Sequence, residues 1–212
     1  MAIEVEARFR VENPEALEHL TAIRHLADAE LGPAVGADET DRYLDTADGR
    51  LGAERWACRL RHRGGRHAVS LKGPPGAGTA GWLHRRPELE GPATEAAIPE
   101  QWPPSPARDL LDRLRAGKPL EERLTLRQRR VERDVRRRRH RIGVLSLDDV
   151  TVVAGGVEVG RFGIVELELD AGSDEHEDAL PTLASALAAI PGLAAEPRSK
   201  LERALDLLGN AR

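Results

Sequence analysis

The sequence predicts an α+β protein organised on one large antiparallel sheet, and three observations lead there. About eight segments show strand periodicity, with apolar and polar residues alternating. Each can be joined to the next by a hairpin or an antiparallel return. The stretches with helical periodicity stand apart from them, near the start, in the middle and at the end of the chain, the segregation of an α+β rather than an α/β protein. No composition shift marks a linker, and the proline-rich PEQWPPSP reads as a connection inside a single domain over residues 1–212.

The opening MAIEVEARFR alternates strictly, with Ile3, Val5, Ala7 and Phe9 on one side and Glu4, Glu6, Arg8 and Arg10 on the other. This strand ends near Val11. NPEALEHL starts a helix with Asn13 as cap and Pro14 in the first turn, and Leu17, Leu20, Ile23 and Leu26 form its apolar stripe. DETDRYLDT is a strand and ADGRLG a turn or short helical bend. RWACRLRHR and RHAVSLKG form a hairpin turned by Gly64 and Gly65. PPGAGTAG is a loop, and WLHRRPELEG is the next strand. Between Pro92 and Pro119 the chain leaves the sheet, with SPARDLLDRLRAG a helix capped by Ser105 and stopped by Gly117. LEERLTLRQRRVERDV and HRIGVLSLDDVTVV form a second, long hairpin, and VEVGRFGIVELELD returns as a strand. SDEHEDALPTLASALAAI and SKLERALDLL close the chain as helices.

Composition narrows the function classes. The 212 residues are 40% hydrophobic and 32% charged, with a net charge of −4 and only 3% aromatics. That favours neither non-specific nucleic-acid binding nor a base-stacking platform. Cys58 is the single cysteine, which excludes an intramolecular disulfide and a cysteine-rich zinc site and suits a reducing compartment. The first residues read as a charged strand rather than a signal peptide, and no apolar run is long enough to span a membrane. The expectation is a cytoplasmic protein, monomeric or homodimeric, without nucleic-acid or membrane partners. Only Lys72, Lys118 and Lys200 among 32 basic residues are lysine, a skew of the kind a GC-rich genome produces.

The charged strand faces carry the chemistry. Arg59 and Arg61 lie opposite Cys58 and Leu60; Lys72 follows Ala68 and Ser70; Arg86, Glu88 and Glu90 share a face. Arg127 and Arg129 oppose Leu124 and Leu126, Asp148 follows Ser146, and Glu166 and Glu168 oppose Val165, Leu167 and Leu169. Three strands repeat Glu-x-Glu: Glu4/Glu6, Glu88/Glu90 and Glu166/Glu168. Like charges two apart on one face repel, and hard divalent cations relieve that repulsion. The basic strands suit an oligoanion, arginine as a bidentate fork and lysine as a point charge. Together they point to a phosphate ester or polyphosphate bridged by metal. A ladder of surface salt bridges would look similar pair by pair. If helices cover the apolar faces, the charged ones line a curved sheet or barrel that is a hydrated channel.

EVEAR, YLDT, CRLRHR, SLKG, ELE, LRQRR, LDD, VELE and SK occur in this order from Glu4 to Lys200, and in that order they resemble the CYTH superfamily. These are the triphosphate tunnel metalloenzymes, which include inorganic triphosphatases, thiamine triphosphatases and class IV adenylate cyclases. The resemblance implies an eight-stranded antiparallel β-tunnel with helices outside and a charged lumen. It implies Mg2+ or Mn2+ on the carboxylates Glu4, Glu6, Glu88, Glu90, Asp148, Glu166 and Glu168, with Asp149 the register alternative to Asp148. It implies a triphosphate held by Arg8, Arg59, Arg61, Lys72, Arg127, Arg129 and Lys200. The family's opening motif ends in lysine where this chain has Arg8. In some members that lysine pairs with a tyrosine, matched by Tyr43, to activate water. Arginine keeps its proton, so Arg8 can hold phosphate but is a poor base. Arg8, Tyr43 and Lys200 are the catalytic candidates. The function implied is metal-dependent hydrolysis of a triphosphate, with adenylate cyclisation and non-catalytic polyphosphate or nucleotide binding as alternatives.

Other motifs carry less. RRRRHR reads as a solvated hairpin tip, and GPPGAGTAG lacks the Gly-Lys-Ser/Thr ending of a P-loop. The seven histidines show no metal spacing and read mostly as surface. Cys58 reads as core.

Overall fold

The computed structural model describes residues 2–76, 81–170 and 174–210. The first part of the chain forms β1 (Ala2–Val11), α1 (Glu15–Ala22), β2 (His25–Leu26), β3 (Ala29–Leu31), β4 (Val35–Thr46), α2 (Arg50–Ala53), β5 (Ala57–Arg63), β6 (Arg66–Lys72) and β7 (Leu83–Ala93). After a 3-10 turn at Pro99–Gln101 come α3 (Pro106–Arg115), β8 (Leu120–Arg137), β9 (His140–Ala154), β10 (Val157–Leu169), α4 (Asp174–Ala188), β11 (Leu193–Ala195) and α5 (Lys200–Asn210). Residues 77–80 of the expected loop, and Ser173 at the start of the expected helix SDEHEDALPTLASALAAI, lie outside the described residues.

Eight of the strands close on themselves. The order β8-β4-β5-β6-β7-β1-β10-β9 is antiparallel throughout, and β9 pairs back onto β8. Closure removes every free edge of the barrel. β2 and β3 extend the sheet beyond β8, and β11 pairs with β1. Gly64 and Gly65 turn the β5–β6 hairpin with positive φ (56° and 75°). The β8–β9 hairpin turns through Arg138 and Arg139, also at positive φ (47° and 72°), a conformation that disfavours side chains by about 1–2 kcal/mol each.

Three apolar clusters hold the barrel. Outside it, α1 and α4 pack on β1, β9 and β10 through Leu20, Leu183, Leu187, Phe9, Leu145 and Leu167. On the opposite wall α3 packs on β4–β6 through Leu111, Leu44, Leu60, Val69 and Cys58; burial pushes the Cys58 thiol up to about 12. The third cluster lies inside: Tyr43, Leu124, Leu126, Val150, Val152, Phe162 and Ile164 fill one end of the lumen against Ala204 of α5. A capping box starts α5, with Ser199 Oγ accepting from Glu202 N at 3.1 Å and Glu202 accepting from Ser199 N at 2.6 Å. Ser105 caps α3 through Arg108 N, and Asn13 accepts from Glu15 N. The first helix is shorter than its apolar periodicity predicts: it stops at Ala22, and Leu26 belongs to β2.

Arg133 accounts for that early stop. It is 5% exposed, and its guanidinium donates to the carbonyls of Leu20, Thr21 and Ile23 at the end of α1 and of Leu31 and Gly32 after β3. Arg133→Met leaves these acceptors without a donor. We expect it to lower stability by roughly 3 kcal/mol, read by urea unfolding; a loss under about 1 kcal/mol would mean that water replaces the guanidinium.

Candidate functional site

Alternation on β1 puts Ala7 and Phe9 into the outer core and Glu4, Glu6 and Arg8 into the lumen. β10 faces it in register, Glu6 opposite Glu168 and Arg8 opposite Glu166. β7 lies on the other side, with Glu4 opposite Arg86 and Glu6 opposite His84. Arg59 and Arg61 on β5 and Lys72 on β6 turn inward as their alternation predicts, as does Asp148 on β9, fully buried, while Asp149 is exposed.

β8 departs from expectation. Leu124 and Leu126 point into the lumen at its apolar end, so the residues in phase with them, Gln128 and Arg130, are the inward ones. Arg127 and Arg129 are exposed on the outer wall. The predicted phosphate-gripping pair is therefore replaced inside the barrel by Arg130, which forks onto Asp148 at 2.7 and 2.8 Å. The inward face of this strand changes from apolar to charged along its length, which inverted the reading of its two sides.

Inside, cations and carboxylates are paired. Toward the mouth, Lys72 bonds Glu4, and Arg86 bonds it at 2.7 Å; Glu88 lies 3.2 Å from Lys72. Deeper, Lys200 Nζ donates to Asp148 and Glu166, both at 2.6 Å. Arg8 donates to Glu166 at 3.0 Å, to Glu6, and to the Arg198 carbonyl at 2.9 Å. On the wall between, Arg61 forks onto Asp41 at 2.7 Å, Arg59 donates to Ser70 at 2.9 Å, and Arg63 lies 2.9 Å from Glu39. Arg63, Arg86, Arg130, Glu39, Asp41 and Glu132 were not among the candidates drawn from the sequence. Arg63, Arg86 and Asp41 were within its reach, since each is in phase with an inward residue of its own strand.

Environment separates chemically equal carboxylates. Burial opposes ionisation of Glu166, yet Lys200, Arg8 and Arg130 hold it well below the usual range. Burial likewise opposes ionisation of Glu4, and Lys72 and Arg86 outweigh it. For Glu6 burial wins and its proton affinity rises, with Glu4 and Glu166 adding to it against Arg8. Burial and then Glu4 push Glu168 up to about 7. Tyr43 sits in the apolar end, where burial raises its phenol to about 12. It is not a ready base, and Arg8 donates to Glu6, Glu166 and the Arg198 carbonyl.

His84, one of seven histidines read mostly as surface, is 7% exposed inside the barrel. Its Nδ1 lies 3.4 Å from Arg8 and its Nε2 2.8 Å from the Glu196 carbonyl. Donation by Arg8 and acceptance by the carbonyl require a neutral ring protonated at Nε2. Burial, then Arg8, lowers its pKa to about 4.

Glu4, Glu88 and Glu168 each bring one carboxylate oxygen within 4.8 Å of the others, at the mouth of a cavity of about 450 Å³ that Glu90 also lines. Glu88 Oε1 is buried and receives no hydrogen bond. Gly143 lets β9 lie close beside this site: a Cβ there would meet the Glu168 carbonyl oxygen at 2.2 Å. An all-carboxylate cluster fits a hard divalent cation, although Glu88 Oε1 already has the Lys72 ammonium at 3.2 Å and the Arg59 guanidinium at 3.8 Å. Glu6, Asp148 and Glu166 lie deeper, bonded to Arg8, Arg130 and Lys200.

The sequence profile of the CYTH domain matches residues 2–205. No curated protein sequence matches the chain. Among solved structures, a candidate adenylyl cyclase from Hippeastrum, described as having a dominant triphosphatase activity, is similar at a TM-score of 0.65 and 19% identity, over 96% of this chain and 95% of that one. A candidate adenylate cyclase from Bacillus halodurans is similar at 0.60 and 21% identity, over 96% and 98%. A protein from Pyrococcus horikoshii OT3 is similar at 0.58 and 19% identity, over 95% and 98%. The shared property at these identities is the closed eight-stranded barrel. No helix among the described residues is long and apolar enough to cross a membrane.

Two measurements check this geometry. Arg127→Ser and Arg129→Ser together should leave the unfolding free energy within about 1 kcal/mol, as exposed charges do, whereas Arg130→Gln should lower it by roughly 3 kcal/mol or more, because it strips buried Asp148 of its fork. Equal losses would restore the original reading of β8. His84 has a folded pKa of about 4 against 6.5 unfolded. Its contribution to stability is therefore full above pH 6.5 and is lost as pH falls toward 4, roughly 3 kcal/mol in all. Glu6 and Glu168 are shifted the other way, so the comparison is with His84→Gln, whose unfolding free energy should fall less steeply over that window.

Proposed function

The chain belongs to the CYTH domain family, and on that footing we propose that it hydrolyses a triphosphate with the help of a divalent cation in the charged lumen of its barrel. The observation that carries this reading is the adjacency of the carboxylate cluster to the cations Lys72 and Arg86, both bonded to Glu4 itself. Glu4, Glu88 and Glu168 would hold Mg2+ or Mn2+, for which oxygen donors are suited. Such a cation supplies Lewis-acid charge against the phosphate oxygens.

The protein's own part is to bind and orient. A triphosphate–cation complex carries the same two kinds of charge that are paired within the lumen, so partners can be exchanged one for one. Lys72, Arg86 and Arg59 turn from carboxylates to phosphate oxygens, while the carboxylates turn to the cation. Deeper in, Lys200, Arg130 and Arg8 stand where charge developing on a transferred phosphoryl group would be stabilised. Arg8, 1% exposed and bonded on several sides, serves as a fixed positive charge rather than a base. Arg61 belongs with the same grip, held by Asp41. Triphosphate-containing small molecules are the implied partners. Cyclisation of ATP is the alternative chemistry in the same barrel, and its products differ.

Purified protein should release orthophosphate from inorganic triphosphate with Mg2+ or Mn2+ and lose this on chelation. Turnover that survives chelation, or none with either ion, would falsify the proposal; the same assay with ATP reports cyclic AMP plus pyrophosphate if cyclisation is the reaction. Glu168→Gln should cut turnover at least a hundredfold while unfolding at the same or a slightly higher temperature, because it relieves repulsion from Glu4 and Glu88. Glu4→Gln should in addition destabilise, because it strips Lys72 and Arg86 of a buried partner.

A further inference from the structure

Two of the deep lumen cations, Arg8 and Lys200, are set in place by one short piece of chain. Between β11 and α5, residues 196–199 cross the rim of the barrel. Glu196 N donates to the Arg8 carbonyl at 3.0 Å, and two residues later the Arg198 carbonyl accepts from the Arg8 guanidinium at 2.9 Å. The Glu196 carbonyl takes the Nε2 proton of His84, whose other ring nitrogen meets Arg8. The piece runs straight into Lys200, whose Nζ donates to Asp148 and Glu166.

The side chain of Glu196 gives this crossing its shape. Glu196 is fully buried. Its carboxylate accepts from Arg198 N at 3.1 Å, from Arg198 Nε at 2.9 Å and Nη2 at 3.3 Å, and from Arg203 Nη1. Burial opposes its ionisation, and the bonds from Arg198 and Arg203 outweigh that. Arg198 reaches on to Asp206 at 2.7 Å, and the Arg203 guanidinium lies 4.9 Å from the centre of the Phe162 ring. Arg203 and Asp206 belong to α5, so the carboxylate ties the crossing to the helix that follows it. A buried ion pair adds little stability over a well-packed apolar replacement; what this one supplies is geometry.

We propose that Glu196 is a positioning residue. Its carboxylate, clasped by Arg198 and Arg203, holds the crossing where Lys200 reaches Asp148 and Glu166 and where Arg8 is bonded through both its carbonyl and its guanidinium. The kinetic consequence rests on the triphosphatase reading, whereas the placement of Lys200 can be measured without turnover.

The chain has three lysines, Lys72, Lys118 and Lys200, with side chains 13%, 47% and 6% exposed. Limiting acetic anhydride, read by peptide mass spectrometry, should label Lys118 readily and Lys200 least. Glu196→Gln should raise labelling of Lys200 severalfold relative to Lys118 and leave Lys72 unchanged. With inorganic triphosphate it should cut kcat by about tenfold to a hundredfold, the scale on which a displaced group is felt. KM should stay within about twofold, because Lys72 and Arg86 at the mouth are untouched. Arg198→Ala should move Lys200 and kcat in the same directions by less, since it keeps the main-chain amide and carbonyl that Glu196 and Arg8 use. The Arg198 side chain is 46% exposed, so this variant folds even if Glu196→Gln does not. A parallel rise at Lys72 would mean that the whole barrel has loosened and would overturn the proposal. So would an unchanged Lys200, or an unchanged kcat beside a lowered unfolding temperature. If no triphosphate is turned over with any divalent cation, the labelling of Lys200 against Lys72 still decides the role of Glu196, and only the hydrolytic reading fails.

Discussion

A closed barrel with a charged interior holds together only if each buried charge finds an opposite one within reach. Asp148 and Glu166 are the hub of that compensation here. Arg130 comes to them from β8, Arg8 from β1 and Lys200 from the start of α5. The cluster ties four neighbouring strands and the closing helix to one point. Taking these ions out of water is costly, and the attraction between them offsets the cost only when the geometry satisfies every group. The network therefore decides which strand faces which and where α5 enters, rather than supplying the stability of the fold.

That stability comes from apolar packing on the outside walls and at one end of the lumen. The barrel is in this sense inverted: β1, β5, β6 and β10 turn their apolar sides outward to α1, α3 and α4, and their charged sides inward. Only where Tyr43, Leu124, Val150 and Ile164 meet α5 does the interior become an ordinary core. The lumen is graded along its axis, from a carboxylate-rich mouth through paired cations to an apolar floor.

The same gradient differentiates identical residues. Glu4 and Glu6 are two positions apart on one strand, yet Lys72 and Arg86 keep the first ionised while burial raises the proton affinity of the second. Glu166 and Glu168 repeat the contrast on β10. Each of the three Glu-x-Glu pairs gives one glutamate to the mouth cluster, Glu4 from β1, Glu88 from β7 and Glu168 from β10. A cation site assembled this way depends on the register of three strands, not on any single motif.

By itself the sequence determined which faces are charged and which are apolar wherever the alternation was clean. EVEAR, CRLRHR and VELE could be read because their outward sides are uniformly apolar, and two-fold periodicity is a local property of a strand. The ordered set of motifs also carried the family and, with it, the closed barrel. LTLRQRR could not be read the same way. Its leucines belong to the floor of the lumen, so the sense of the alternation depends on how far along the barrel axis each residue lies, and that is a property of closure and strand tilt. His84 is in phase with Arg86 on β7, so its inward direction was legible, but its buried acceptor comes only from the return of Glu196 across the rim. Tertiary structure alone decided that Arg130 rather than Arg127 or Arg129 meets Asp148, that Lys200 enters the lumen, and that Glu4, Glu88 and Glu168 converge. Each is a contact between segments distant in sequence, set by which strands are neighbours and in what register.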